Sequence, residues 1–114
     1  MPRSLAETRR FPRASCQHSA LVRLVGDRRS EEFARTQVLG VGGCLLLAED
    51  ALGSGARMEL LIALGGRVVK ADARVVYEQR RSDQRHEIGI EFLRLAPADR
   101  DLIGVAVSLA RGDS

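Results

Sequence analysis

Three arginines within five positions, Arg9, Arg10 and Arg13, are the side chains near the start of the chain most suited to chemistry. They belong to the stretch TRRFPRAS, residues 8–15, in which Pro12 stiffens the backbone just before the first apolar run. A guanidinium group bonds to phosphate in a bidentate way and stacks on a flat base. The stretch predicts a basic arm, residues 1–14, that folds across the following domain and holds an anionic ligand; the alternative is a solvated arm without a ligand.

Charge is distributed unevenly along the 114 residues, which are enough for one domain. The net charge is +3, and residues 1–35 hold eight arginines against four acidic residues, so the positive surplus lies entirely in the first third. This total is too small to indicate general nucleic-acid binding. A basic barrel that binds RNA or DNA without sequence preference is the weakest alternative, because the chain has few aromatic residues for base stacking: Phe11, Phe33, Tyr77 and Phe92.

The chain contains neither a run of 18 apolar residues nor an apolar signal core, so we expect a cytoplasmic protein without membrane insertion. Its two cysteines, Cys16 and Cys44, are too few for a disulfide scaffold and are expected to be free thiols.

Most of the chain after the arm has the two-residue period of strands, interrupted by turn residues. Gly65 and Gly66 can both adopt positive φ, which predicts a two-residue hairpin and an antiparallel pair around it. Six strands are predicted, over residues 15–25, 32–39, 43–49, 57–64, 67–79 and 86–95.

Alternation also assigns a buried face to the last two predicted strands. The fifth strand buries Val69, Ala71, Ala73, Val75 and Tyr77. The sixth buries Ile88, Ile90 and Phe92.

Beyond Leu95 the period changes to that of a helix, predicted over residues 97–110. Pro97 suits the first helical position, and a buried stripe is predicted at Leu102, Ala106 and Leu109. The fold class is therefore all-β with one C-terminal helix: a six-stranded antiparallel barrel over residues 15–111, followed by a disordered tail at 112–114.

Catalytic and metal-binding patterns are weak. No nucleophile elbow and no carboxylate pair in an acid and base arrangement is present, so an enzyme is not expected. The potential zinc ligands Cys16, His18, Cys44 and His86 match no familiar zinc spacing, so no metal is expected. The stretch GVGG, residues 40–43, precedes a strand rather than a helix, which predicts a turn or bulge with positive φ instead of a phosphate loop.

Taken in order, three landmarks resemble the PilZ domain family: RRFPR at 9–13, VLGVGG at 38–43, and RVVYEQRRSDQRHEIGIEF at 74–92. The last of these contains the family's GxxF ending as Gly89 and Phe92. The resemblance extends from about Arg9 to Ala110. It implies a six-stranded barrel that acts as a bacterial receptor for cyclic di-GMP, with roles in motility, biofilm formation or polysaccharide control.

The ligand site implied by the resemblance has two parts. The family's Arg-x-x-x-Arg half falls on Arg9 and Arg13, which would grip guanine and phosphate, with Arg10 as an auxiliary charge. The second half, normally Asp or Asn, x, Ser, x, x, Gly, falls on residues 38–43. Here Val38 replaces the acid or amide and Gly40 replaces the serine, while Gly43 agrees with the pattern.

Each missing polar contact costs about 1–3 kcal/mol of binding free energy unless another group replaces it. Lys70 and Arg74, on the outward face of the fifth predicted strand, are candidate replacements, as are backbone groups near Gly40. Two functions follow: a stand-alone cyclic di-GMP receptor that docks on an unidentified protein partner, or a degenerate PilZ module that binds a protein partner without nucleotide.

Overall fold

The computed structural model describes residues 12–26 and 31–112, which form one antiparallel sheet and one helix. The strands are β1 (Arg13–Ser15), β2 (Ser19–Leu24), β3 (Glu31–Gly40), β4 (Gly43–Ala48), β5 (Arg57–Leu64), β6 (Arg67–Arg80) and β7 (His86–Leu95). The helix α1 spans Pro97–Arg111. No helix in these two ranges is long and apolar enough to cross a membrane.

Six strands close into a barrel in the order β3, β2, β5, β6, β7, β4, and the pairing of β4 with β3 completes the ring. This confirms the predicted all-β class and six-stranded antiparallel barrel with a C-terminal helix. Closure leaves the long strands without free edges, which is one way in which β proteins avoid aggregation. The interior is filled by alternate residues of every barrel strand, among them Val22, Leu46, Leu60, Val69 and Ile88.

The N-terminal part of the barrel differs from the prediction of one strand over residues 15–25. The chain instead forms the short β1, then leaves the strand conformation at residues 16–18, and continues as β2. Both β1 and β2 pair with β3, β1 with residues 38–40 and β2 with residues 31–35. The prediction failed because the apolar period alone does not mark the interruption.

The helix begins at the predicted residue and ends one residue later than predicted. Pro97 lies in its first turn with Asp99, whose carboxylate accepts a hydrogen bond from the backbone N–H of Lys70 at 3.3 Å. Gly112 ends it in the left-handed conformation, with φ 77°. The predicted stripe was wrong at Leu109 and only partly buried at Leu102 and Ala106, and the fully buried residues are Ile103 and Val107.

Leu102 and Ala106 pack at the edge of the core, and Leu109 is 72% exposed. The helix covers β1 and the neighbouring part of the barrel wall.

Two details of β6 bear on the predictions. The hairpin before it is confirmed, with φ 53° at Gly65 and 87° at Gly66 and an antiparallel β5–β6 pair. The prediction that Tyr77 is buried was wrong, because a register shift between Val75 and Tyr77 turns its side chain outward, where it is 49% exposed.

Candidate functional site

Strand β1 brings the described part of the arginine motif against the second half of the implied site. Arg13 lies directly opposite Gly40 of β3, and Ser15 lies opposite Val38. Residues opposite one another on antiparallel strands point to the same side of the sheet. Because Ala14 and Leu39, the pair between them, are buried, the side chains of Arg13, Ser15 and Val38 face outward, and Gly40 lies on the same side of the sheet. We call Arg13, Ser15, Val38 and Gly40 the β1–β3 face.

The buried Thr36 holds the chain in place between β1 and β2. Its hydroxyl accepts a hydrogen bond from the backbone N–H of His18 at 2.9 Å and donates to the carbonyl of Cys16. The N–H of Cys16 donates to the carbonyl of Gln37 at 3.1 Å. Because these bonds satisfy the backbone where the strand is interrupted, they fix β1, and with it Arg13, against β3.

The two glycines of the second half are explained by close contacts. A Cβ atom at Gly43 would lie 2.1 Å from the carbonyl oxygen of Ile90, so β4 and β7 can approach as they do only with glycine there. A Cβ at Gly40 would lie 2.9 Å from Cγ of Arg13 and 3.1 Å from the carbonyl oxygen of Pro12. Neither glycine has positive φ, so the prediction of a positive-φ turn at residues 40–43 was wrong about the backbone conformation.

Arg13 differs from the other predicted cations in its electrostatic surroundings. It is exposed, and none of the ion pairs formed within residues 12–26 and 31–112 involves it. Its aliphatic part covers Gly40 while its guanidinium group has no carboxylate partner in that part of the chain. Arg13 is therefore the described cation whose charge is available to an anion on the β1–β3 face.

Arg74 and Lys70 are both engaged with glutamates. Arg74 Nε lies 2.8 Å from Glu91 Oε1, and Glu91 in turn pairs with Gly43, so Arg74 lies two strands from the second half of the site. Lys70 Nζ lies 3.7 Å from Glu59 Oε2, on the wall formed by β5 and β6. The structure thus places Arg74 two strands from Gly43, and Lys70 four residues before Arg74 on the same strand, paired with Glu59.

Two polar residues near the site were missed by the sequence reasoning. Ser15 is exposed and opposite Val38, so its hydroxyl lies beside the position where the family pattern has an acid or amide. Glu91 lies opposite Gly43. The sequence did not predict the strand pairing that brings Glu91 next to Gly43.

Two of the predicted ligand-binding residues, Arg9 and Arg10, lie outside the described residues. Their roles remain predictions that follow from the family resemblance.

The potential metal ligands do not converge. Cys16 Sγ lies 2.9 Å from His18 Nε2, and burial raises the pKa of the Cys16 thiol. Cys44 is enclosed in the core, and burial raises the pKa of its thiol even more. His86 Nδ1 lies 3.3 Å from the carbonyl oxygen of Glu49. In the part of the chain that the structure describes, no three such side chains form a group that could hold a metal ion.

Comparison with protein families and solved structures gives a consistent result. The family model described as "PilZ domain" matches residues 7–108. The structure of the Bacillus subtilis inhibitor of motility, MotI/DgrA, is similar with a TM-score of 0.75 and 15% identity. The PilZ domain of Escherichia coli YcgR, solved with c-di-GMP, has a TM-score of 0.70 and 18% identity. YcgR in complex with c-di-GMP has a TM-score of 0.72 and 24% identity.

The shares of the chains that are covered differ among these proteins. The alignments cover 90% of this chain in all three cases. They cover 51% of the Bacillus chain, 91% of the isolated YcgR domain and 46% of the longer YcgR chain, so this chain spans about half the length of the first and last. At these identities the likeness shows the fold. Comparison with curated protein sequences finds no match.

Proposed function

We propose that this chain, which belongs to the PilZ domain family, is a cyclic di-GMP receptor that binds the dinucleotide on its β1–β3 face and signals by docking on a protein partner. The observation that carries the proposal is the register in which Arg13, which forms no ion pair within residues 12–26 and 31–112, lies opposite Gly40. This register joins the two parts of the ligand site that the family pattern implies. The YcgR structures solved with c-di-GMP support the choice of ligand.

The chemistry of the face suits an anionic nucleotide. Cyclic di-GMP carries two phosphodiester anions and two guanine bases, and arginine forms charge-assisted, bidentate bonds to both kinds of group. Because Gly40 has no side chain, the aliphatic part of Arg13 can lie against β3 while its guanidinium group stays exposed to a ligand. Arg9 and Arg10 would add charge from the preceding segment, as the family pattern implies.

Ser15 compensates in part for the residues that differ from the family pattern. Val38 has no hydrogen-bonding group and Gly40 has no hydroxyl, whereas the hydroxyl of Ser15 stands opposite Val38 on the same face. A hydroxyl both donates and accepts hydrogen bonds, so it can bond to a guanine edge or to a phosphate oxygen. The ligand is therefore held mainly by charge, with less recognition of the base than the full pattern provides.

Isothermal titration with cyclic di-GMP tests the proposal. We expect Arg13→Ala to weaken binding at least about tenfold, since bonds to charged groups contribute about 1.5–3 kcal/mol. Arg67→Ala is the matched control, because Arg67 is exposed at the β5–β6 hairpin, and its strand pairs with neither β1 nor β3. Absence of heat from the wild type at high micromolar ligand, or equal affinities of Arg13→Ala and wild type, would reject the proposal.

The second candidate function, a module that binds a protein partner without nucleotide, is favoured by Val38 and Gly40. Without their polar groups, the second half of the site offers a largely apolar surface between Arg13 and Gly43. Capture of the same partner with and without cyclic di-GMP, and equally by wild type and Arg13→Ala, would support this candidate. Capture that requires the nucleotide would rule it out.

A further inference from the structure

The outward face of the barrel wall around β2 and β5 is apolar at its centre. Phe33 is 81% exposed, and Leu21 and Leu61 are each half-buried. The strand register places them in one row, in which Phe33 pairs with Leu21, Leu21 with Leu61, and Leu61 with Lys70. A row of exposed apolar side chains on a closed barrel fills no interior space, and such patches usually mark an interaction surface.

A row of charges lies directly beside this apolar row. Arg23 Nε donates to Glu31 at 2.8 Å, and its Nη1 donates to Glu59 at 3.2 Å. Lys70 Nζ approaches the other oxygen of Glu59 at 3.7 Å. We call Leu21, Arg23, Phe33, Glu59, Leu61 and Lys70 the β2–β5 face.

We propose that the β2–β5 face is a self-association surface, on which the same face of a second copy docks about a two-fold axis parallel to the strands and between β2 and β5. Such an axis reverses the strand order of the second copy while it keeps each row opposite the same row. In a two-fold interface, whenever residue i contacts residue j of the other copy, residue j contacts residue i. The face must therefore be complementary to its own reversed pattern.

The reversed pattern is complementary at three positions. Leu21 of one copy meets Leu61 of the other, which places apolar groups together at the centre. Arg23 meets Glu59, a pair of opposite charges, and each such contact occurs twice. Phe33 meets Lys70, whose ammonium group can lie over the aromatic ring. At the edge of the charge row Glu31 meets Asp72, a like charge, so the apolar centre and the two Arg23–Glu59 contacts carry the association.

This surface is separate from the proposed nucleotide site. Phe33 and Gly40 lie at opposite ends of β3, and a strand advances about 3.3 Å per residue, which separates them by roughly 20 Å. The β1–β3 face therefore stays accessible in the dimer. Self-association through the β2–β5 face and nucleotide binding can be measured independently of one another.

Sedimentation velocity over a range of concentrations tests the proposal with the full chain. We expect a monomer–dimer equilibrium in the wild type, and Phe33→Lys to raise the dissociation constant at least about tenfold, because the new lysine would face Lys70 of the second copy. Phe33 is so exposed that its replacement leaves the fold intact, which circular dichroism verifies. Leu109→Lys is the matched control: this leucine is also highly exposed, but on α1, and its replacement should leave the equilibrium unchanged.

A charge-exchange experiment tests the two-fold geometry itself. Arg23→Glu alone and Glu59→Arg alone each place like charges opposite one another in both contacts of a homodimer, so each variant should be monomeric. In an equimolar mixture, both contacts of the heterodimer join opposite charges, so association should return. Thermal unfolding of each variant verifies that it is folded before mixing.

Three results would overturn the proposal. The first is a wild type that stays monomeric at high micromolar concentration, and the second is a dimer that Phe33→Lys leaves intact. The third is a mixture of folded Arg23→Glu and Glu59→Arg chains that does not associate.

Discussion

The two ends of β3 lie on one wall of the barrel yet present opposite kinds of surface. The N-terminal end, paired with β2, exposes Phe33 and places Glu31 in an ion-pair row with Arg23. The C-terminal end, paired with β1, has Gly40 beneath Arg13, which has no ion-pair partner in the described part of the chain. The surface at the N-terminal end is broad and apolar, and its charges pair with one another, which suits contact with another protein. The surface at the C-terminal end is small and cationic, which suits an anion.

The comparison also shows which residues of the site the fold itself requires. Gly43 is required because the carbonyl of Ile90 occupies the space of its missing side chain, so its presence says little about a ligand. Arg13 is exposed and makes no ion pair within the described residues, so packing does not explain its charge. Arg13 is therefore the stronger indication of a ligand at this end of β3.

Replacement of Gly43 should have the largest effect. In Gly43→Val, side-chain atoms would collide with the Ile90 carbonyl and separate β4 from β7, at a cost of about 3 kcal/mol or more in unfolding free energy. Urea denaturation measures the change. Gly104→Ala is the control: a Cβ there meets nothing within 4 Å, so this helical substitution should stabilise by about 1 kcal/mol. Equal stability of Gly43→Val and wild type would contradict the packing explanation.

Removal of the Thr36 hydroxyl should weaken the attachment of β1 to β3. Thr36→Val leaves the N–H of His18 and the carbonyl of Cys16 without their partner, which should cost about 2 kcal/mol. Because β1 then loses part of its attachment, cyclic di-GMP affinity should fall as well. Thr36→Ser keeps the hydroxyl and should retain affinity, and titration calorimetry combined with urea denaturation distinguishes the two variants. An unchanged affinity in Thr36→Val would mean that this anchor does not position Arg13.

Restoring the family pattern at the C-terminal end should strengthen nucleotide binding. Val38→Asp supplies an acceptor for the guanine edge and Gly40→Ser supplies a hydroxyl, each of which should improve cyclic di-GMP affinity by about tenfold. The serine also requires the Arg13 side chain to shift, because its Cβ would be 2.9 Å from Cγ of Arg13. Titration calorimetry with cyclic di-AMP is the control for base recognition. No gain from Val38→Asp would show that guanine does not bind beside residue 38.

The smallest effect is expected at the N-terminal end, from Glu32. Burial first, and then the neighbouring Asp50, which also hydrogen-bonds to it, raise the pKa of Glu32 above its ordinary value of 4.5, although His86 acts in the opposite direction. The folded chain thus holds this proton more tightly than the unfolded chain does. The resulting contribution to stability is fully present below pH 4.5 and is lost as the pH rises through the raised pKa.

Glu32→Gln removes this dependence. Its unfolding free energy should rise relative to that of the wild type between about pH 4 and about pH 7. Thermal or urea unfolding at several pH values measures the difference. A difference that is constant over this range would contradict the assignment, and Glu31→Gln, on the outward face beside Arg23, is the comparison variant.

Local signals predicted most of the fold. The bounds of β5 and β7 agree with the sequence prediction, those of β4, β6 and α1 differ by one residue at one end, and those of β3 differ by one residue at each end, because alternation and turn chemistry depend on near neighbours. The interruption between β1 and β2 was missed, since the hydroxyl that holds it belongs to Thr36 on another strand. Tyr77 was assigned to the wrong face, because a register shift reverses the alternation on which the assignment rested.

The sequence by itself determined the barrel strands, the Gly65–Gly66 hairpin, the helix and the family, because each rests on residues close together in the chain or on the order of motifs. Only the tertiary structure decided that Arg13 lies over Gly40, that Ser15 faces Val38, and that Phe33, Leu21 and Leu61 form one row. These relations depend on the register between separate strands. A register is set by the packing of the whole barrel, so no single stretch of sequence contains it.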